Sequence, residues 1–469
     1  MTNIVLILTD QQHYRTMGCT GCPEARTPHL DALAQQGILF ANHHVTNTVC
    51  MPSRASIFTG QYINQHGVWT NGCRLSEETP TITSMLNAAG YQTAHFGKLH
   101  LEPILNRVHA PCSYHFDSCE IGEGDQQLTH DDYFVWLRQN HPDLFLKYIL
   151  ECYQKGHAKG YTSCLPEECH LSTWTTNRSI DWLRNRRKQP ADGSNQTNPF
   201  FLSVGFFDPH HAFNPPEPYA SQFANAEVTP PRYHPDSLAT RPPQYHTRHA
   251  DISSFTQSPA MLDTIRAYHT MMAHVDHCIG RLCTELQALG LAEDTVILYS
   301  SDHGELLGNH GLLWKGPFML DDLLHVPLIA AKADGTKRGV VAKGLSSGVD
   351  ILATIAHITG ATAPANAGTA MTDADLTPFP FGPRPFVLSE WESQTNVSSL
   401  RCIRSPDAKL VVKPDDPSYG EFYDYRTDPD EFFNRFDDPA AQATIICLQE
   451  QLATCYPSGR HPCPQECEV

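Results

Sequence analysis

The chain opens MTNIVLILTD, apolar from Ile4 to Leu8 before polar Thr9 and Asp10 close the run. So short a run has no amphipathic period, and it predicts a strand over residues 3–9 buried on both faces. A different pattern follows. TPHLDALAQQG offers Thr27 as N-cap, Pro28 at the first helical position and Gly37 as a stop, which predicts a helix. ILFANHHV reads as the next strand, 81–89 as a helix ending at Gly90, and PFFLSVGF (199–206) and TVILYS (295–300) as further strands. Between the last two, Ile265, Tyr268, Met272, Val275, Ile279 and Leu282 recur at helical spacing within Ala260 to Leu289. Strand and helix signals alternate over roughly the first 360 residues, which predicts an α/β fold with a large, mainly parallel central sheet flanked by helices.

Periodicity fades at 101–170 and 207–260, and in the Pro-, Asn- and Ser-rich stretches RRKQPADGSNQTNP and FNPPEPYASQFANAEVTPPRYHPDSLATRPPQYH. These read as long loops near a site. LTPFPFGPRP near 376–385 is another break, followed by short strand-like runs (FVLSE, LRCIR, AKLVV, EFYDY) and a helix near 438–455. The expected organisation is a large domain over 1–375 and a small C-terminal α+β unit with an antiparallel sheet over 376–469. No internal repeat interrupts this pattern.

Charge narrows the choice of partners. Against 33 Lys and Arg stand 51 Asp and Glu, a formal net charge of −18. Such a surface repels nucleic acid and anionic membranes, so neither is an expected partner, and an anionic substrate must be drawn by local cations. No stretch approaches the roughly 18 apolar residues of a membrane helix. The opening run also lacks a basic n-region and a small-residue cleavage site, so the expected location is cytoplasmic. Sixteen cysteines in so long a chain need not form a disulfide framework. Cys19 and Cys22 make one CxxC and Cys463 and Cys467 close the chain, but neither pair has a second pair or a His partner at zinc-site spacing. The histidines of AYHTMMAHVDHC read as surface or core residues of the long helix.

Three segments carry candidate chemistry. In VCMPSRASIFTG (49–60), Pro52 sits where a helix can begin, which puts Cys50 just before a helix N-terminus, where backbone N–H groups favour anions. A buried free cysteine is the alternative reading of the same residue. In LILTDQQ (6–12) and VILYSSDHGELLGNHG (296–311), Asp10 and Asp302 each follow an apolar strand, at the edge where open α/β sheets bind ligands. With Gln11 and His303 beside them, this set suits a hard divalent cation. Strand-ending aspartates also occur simply as turn formers.

CMPSR matches the C-x-P-S-R signature of the sulfatase family, within the alkaline phosphatase superfamily, and GYQTAHFGKLH (90–100) resembles that family's second signature. Further likenesses are the opening strand with Asp10, SDHG (301–304), DPHHAF (208–213), LWKGPF (313–318) and FYDYRTDPDEFFN (422–434), all in family order over nearly the whole chain. The resemblance implies an alkaline phosphatase-like fold. It also implies oxidation of Cys50 to formylglycine by a formylglycine-generating enzyme. One hydroxyl of the resulting diol attacks sulfur and expels the alcohol; the other reforms the aldehyde and releases sulfate. Carried over by position, Asp10, Gln11, Asp302 and His303 resemble the ligands of one divalent metal ion, Ca²⁺ first, with Mg²⁺ or Mn²⁺ as alternatives. Arg54 would steady the diol, and Lys98 and Lys315 would bind the sulfate. His100 would assist sulfate release, and His210, with Lys315, would protonate the leaving oxygen.

There are departures. Gln11 stands where an aspartate is common and His303 where Asn is; His211 beside His210 leaves that assignment open by one position, and Ala212 replaces a usual Pro. The implied substrate is a small-molecule or saccharide sulfate ester, whether sugar, aryl or alkyl, its leaving-group pocket shaped by the loops, Trp69 and the C-terminal unit. Relatives with the same nucleophile cleave phosphonate monoesters and phosphodiesters, and His303 raises that alternative. A non-catalytic protein binding sulfated ligands, and thiolate hydrolysis by a Cys50–His pair, are the remaining readings.

Overall fold

The computed structural model describes residues 1–103, 114–124, 131–186, 198–335, 338–373, 375–377, 384–392 and 399–456. Eight strands form the main sheet: β1 (Asn3–Thr9), β2 (Ile38–His44), β3 (Gln92–Gly97), β4 (Ser118–Ile121), β5 (Phe200–Gly205), β6 (Thr295–Ser301), β7 (Leu328–Lys332) and β8 (Val340–Ser347). Their order is β4-β3-β5-β1-β6-β7-β2-β8. All neighbours run parallel except β7, which is antiparallel to both β6 and β2.

The unbroken apolar run of β1 is explained by burial on both faces. Ile4, Leu6 and Leu8 enter one core with the helices Cys50–Thr59, Ile82–Ala88 and Asp350–Thr359. Val5 and Ile7 enter the other, against the long helix Pro259–Ala288. In that helix Ile265, Tyr268, Met272, Val275, Ile279 and Leu282 are all buried, as their spacing predicts.

Four antiparallel strands make the second sheet, β9 (Val387–Glu392), β10 (Ser399–Arg404), β11 (Ala408–Lys413) and β12 (Asp416–Asp424), in the order β12-β11-β10-β9. The helix Gln442–Cys455 packs Ile445, Leu448 and Leu452 against it. This sheet buttresses the approach to Cys50: Glu390 N donates to Thr46 O at 2.7 Å, and Asn47 Nδ2 donates to Glu390 O at 2.7 Å.

The loops expected at 101–170 and 207–260 prove partly helical. Asp132–Asn140, Pro142–Lys155, Tyr219–Phe223 and Pro243–Thr256 are helices. In Pro142–Lys155, Phe145 and Cys152 are buried, while Leu146, Leu150 and Tyr153, also at helical spacing, are exposed. The Pro142 start and Gly156 stop were the usable signals there. Most of RRKQPADGSNQTNP, the centre of the break near 376–385, and Cys463 and Cys467 lie outside the described residues. Cys73 and Cys119 each take part in a disulfide, whereas Cys19 and Cys22 are free. Among the described residues, no helix is long and apolar enough to cross a membrane.

Candidate active site

Four adjacent parallel strands deliver the candidate residues at their C-terminal ends. The register pairs Thr9 of β1 with Ser301 of β6, so Asp10 and Asp302 emerge side by side. It also pairs Gly97 of β3 with Gly205 of β5, which places Lys98 and His100 beside the segment leading to His210. Gly97 is required there: its φ is +95°, and a Cβ would lie 2.0 Å from the Gly205 carbonyl oxygen.

Cys50 and Arg54 come from the helix Cys50–Thr59. That helix begins at Cys50 itself, with Val49 as N-cap, rather than at Pro52 as the sequence suggested; the proline is tolerated in the first turn, where its missing N–H has no intrahelical partner. Four residues apart, Cys50 and Arg54 share one helix face.

One donor atom each from Asp10, Cys50, Asp302 and His303 lies within 4.8 Å of the others, and all four residues are buried. Cys50 Sγ is 3.2 Å from His303 Nε2 and 2.8 Å from Lys315 Nζ. Lys98 Nζ donates to Asp10 Oδ2, and Arg54 Nε to Asp302 Oδ2 at 2.6 Å. Arg54 Nη1 also donates to the Lys98 carbonyl at 2.6 Å. Burial opposes the Asp10 charge, but nearby positive charge, Lys98 first and Lys315 with it, outweighs it and holds that carboxyl well below the usual range. Burial and Asp10 push the Cys50 thiol up, while Lys315, Lys98 and His303 pull harder and set it below its ordinary value.

These residues fit a divalent cation. Two sealed carboxylates and an imidazole converge there. His303 Nδ1 lies 2.8 Å from the Gly304 carbonyl, so it carries the proton and leaves the Nε2 lone pair facing the cluster. Gln11 adopts φ 65° and turns its Nε2 to Glu305 and to His211 Nδ1 (3.1 Å), while its Oε1 is buried without a partner. An orphaned oxygen of this kind suits ligation. Where the resemblance leads one to expect a second aspartate, Gln11 supplies an amide that the Glu305 carboxyl holds.

The remaining candidates sit around this cluster. His100 donates its backbone N–H to Glu123 Oε1 at 2.8 Å, and its ring Nδ1 lies 4.0 Å from Glu123 Oε2. His210 is buried, with Nδ1 2.5 Å from the His211 carbonyl and its ring 4.7 Å from that of Phe207. The His210 and His211 rings stack at 4.0 Å. Burial drives His100, His210 and His211 well below the ordinary histidine value, aided chiefly by Lys98 for His100, His211 for His210 and Lys315 for His211.

Two residues that matter were not anticipated. Glu305 accepts from Leu307 N at 2.9 Å and Trp314 N at 2.5 Å, and burial lifts its carboxyl to about 7. Glu123 fixes the backbone of Leu99 and His100. Glu305 lies inside SDHGELLGNHG, where its apolar neighbours were a readable sign; Glu123 lies in a stretch taken as loop. Trp69 lines a cavity of about 620 Å³ with Asn64, Arg401, Tyr419 and Tyr456.

Comparison with known proteins places the chain. The sulfatase family's sequence profile matches residues 2–361, and the profile for the C-terminal part of N-sulphoglucosamine sulphohydrolase matches 308–457. The chain is 28% identical over 447 residues to the sulfatase YidJ of Escherichia coli (strain K12), covering 93% of this chain and 83% of that one. It is 25% identical over 498 residues to an N-acetylglucosamine-6-O-sulfatase of Bacteroides thetaiotaomicron, covering 92% and 82%. Among solved structures, a phosphonate monoester hydrolase of Silicibacter pomeroyi superposes with a TM-score of 0.79 at 22% identity, covering 97% of this chain and 95% of that one.

Proposed function

The chain belongs to the sulfatase family, the sulfuric ester hydrolases, and from that premise we propose that it cleaves the sulfate ester of a saccharide or small molecule, using a formylglycine made from Cys50 by a formylglycine-generating enzyme and one divalent metal ion. The observation that carries this reading is the convergence of Asp10, Cys50, Asp302 and His303 in one buried cluster. Formylglycine, as its hydrate, supplies the nucleophilic hydroxyl, and the ion, Ca²⁺ ahead of Mg²⁺ or Mn²⁺, draws the substrate's negative charge. Asp10, Asp302, His303 and the Gln11 Oε1 would hold that ion.

The protein's own side chains account for the rest. Lys98, Arg54 and Lys315 set three cations against the two carboxylates Asp10 and Asp302, a local excess that draws an anion to a chain of net charge −18. Arg54, anchored to Asp302, keeps the residue at position 50 oriented from the same helix face. Lys315 Nζ, 2.8 Å from the position-50 side chain, holds the sulfate oxygens. His210, kept neutral by burial, takes up a proton only in the company of an anion and returns it to the leaving oxygen. His100 acts beside the position-50 side chain in sulfate release. The Trp69 cavity is a candidate leaving-group pocket, because Met51 N, next to Cys50, donates to Asn71 Oδ1 at 3.0 Å and joins that loop to the nucleophile. The N-acetylglucosamine-6-O-sulfatase relative supports a sulfated saccharide.

The experiment is a mass spectrum of the tryptic peptide Thr27 to Arg54 from protein made in its own host or with a formylglycine-generating enzyme. The expected peptide carries an aldehyde that a hydrazine traps. An intact thiol under those conditions overturns the proposal and favours thiolate chemistry, for which His303 Nε2 at 3.2 Å would be the imidazole. A second reading, phosphonate monoester or phosphodiester hydrolysis with the same nucleophile, is favoured by His303 in the cluster. Relative rates on aryl sulfate, phosphodiester and phosphonate decide between them.

A further inference from the structure

Three other clusters of metal-capable side chains occur among the described residues. At His44, Asp321 and His325, the carboxylate is already engaged by Lys409 (3.2 Å) and Arg404 (3.5 Å). At Cys22, Glu24 and His269, burial and then Glu24 push the thiol up to about 11, so it holds its proton. His170, Asp208 and His274 differ from both.

This trio is sealed, with exposures of 4%, 2% and 0%, and one donor atom from each lies within 4.8 Å of the others. His170 Nδ1 approaches Asp208 Oδ2 at 3.6 Å, too far for a hydrogen bond, and the two imidazole rings stand 5.1 Å apart at 74°. The Nδ1 atoms of both histidines are buried without a hydrogen-bond partner. Two other polar atoms of the cluster are held by neighbours. Thr173 Oγ1 engages His274 Nε2 at 2.9 Å, and Ser172 Oγ donates to Asp208 Oδ2 at 2.6 Å. Buried polar atoms are normally paired, so two bare buried imidazole nitrogens beside a carboxylate that Ser172 holds call for an occupant.

We propose that His170, Asp208 and His274 bind a second divalent ion, of the zinc class, separate from the ion of the hydrolytic site. Two imidazole nitrogens and one carboxylate oxygen select a transition metal over Ca²⁺ or Mg²⁺. Thr173 holds the His274 ring through Nε2, which leaves Nδ1 as its free donor, and Ser172 holds the carboxylate, the arrangement that orients ligands ahead of binding. The three come from distant parts of the chain: His170 just before the helix Leu171–Arg186, Asp208 just after β5, and His274 within Pro259–Ala288. An ion there fastens both helices to the segment that carries His210, two residues beyond Asp208. Its role is to position that segment; it touches no substrate.

The test loads the full-length chain with Co²⁺ in the presence of excess Ca²⁺, which keeps the oxygen-rich site filled, and then desalts it. Elemental analysis and visible absorption are read for the parent, His274→Gln and His170→Gln. The expected result is one further Co²⁺ per chain in the parent than in either variant, with a visible ligand-field band that both variants lose. Equal stoichiometry and equal spectra in all three overturn the proposal. Circular dichroism identifies a variant that fails to fold, and the parent then decides alone: a parent that keeps no Co²⁺ after Ca²⁺ exchange overturns it as well.

Discussion

Lys315→Ala removes a cation whose Nζ stands 2.8 Å from Cys50 Sγ, 3.0 Å from His303 Nε2 and 4.0 Å from Asp10 Oδ1. A sulfate bonded at position 50 lies within about 4 Å of that nitrogen, where a unit charge pair at an effective dielectric near 20 is worth about 4 kcal/mol. Loss of one preorganised donor to transition-state charge costs about 2.7–4 kcal/mol. The two figures agree on a fall in kcat/KM of ~10²–10³. The side chain is only 13% exposed and faces Cys50, His303 and Asp10, so a thermal melt separates any loss of folding from loss of catalysis. The assay compares kcat/KM on an aryl sulfate with a good leaving group and on a sugar or alkyl sulfate with a poor one, alongside a thermal melt. If Lys315 only clamps the anion, both substrates lose equally; if it also aids proton delivery with His210, the poor leaving group loses more. A loss below about tenfold, 1.4 kcal/mol, with an unchanged melt refutes the reasoning.

Other perturbations test other parts of the site. Arg54→Met leaves the Asp302 carboxylate sealed without its 2.6 Å partner and should destabilise by about 3–5 kcal/mol, read as a lowered denaturation midpoint; a midpoint shift worth under about 1 kcal/mol counts against the pairing. Exhaustive chelation should remove at least ~10² of the activity and Ca²⁺ should restore it, whereas Asp302→Asn should not be rescued; chelator-resistant turnover sinks the metal role. His66 accepts from Val68 N at 3.1 Å and lies 3.0 Å from Ser56 Oγ, and burial pushes it down to about 3. The unfolded chain takes up that proton near pH 6.5 and the folded chain only near 3, so stability is lost as pH falls through that window, by about 1.4 kcal/mol per pH unit. His66→Gln should flatten the slope of unfolding free energy between about pH 6 and 4 by that amount, and an unaltered slope contradicts the assignment.

Much of this was legible in the chain because short-range physics writes directly into sequence. The run Ile4–Leu8 is unbroken because both its faces are buried, and the 30-residue helix Pro259–Ala288 shows its buried stripe openly. Likewise Asp10 and Asp302 each follow a strand, so their place at the sheet edge was readable. Their adjacency was not, since it rests on the register of β1 against β6 across nearly 300 residues. The same holds for His170, Asp208 and His274, which spacing could not join because three elements meet only in the folded chain. The helix Pro142–Lys155 was legible as well, since apolar residues recur at helical spacing between Pro142 and Gly156, against the loop expected over 101–170.

Glu305 ties the parts of the hydrolytic site together in a way that no single motif shows. One of its oxygens accepts from the backbone at Leu307 and Trp314, and the other from the Gln11 amide. Gln11, whose Oε1 is buried without a partner, and Trp314, next to Lys315, therefore hang on one buried carboxyl. Replacing an aspartate by Gln11 removes a charge from the metal side of the site, and the cationic side of Lys98, Arg54 and Lys315 is left in excess. A metal held by fewer charges binds less tightly, while an anion facing the same cations binds more tightly. Glu305 limits the first cost by fixing the amide before the ion arrives, since an oriented neutral ligand loses less freedom on binding than a mobile one. On the proposed function, Glu305 thus offsets the missing carboxylate charge at position 11 by fixing the amide that would replace it as a ligand.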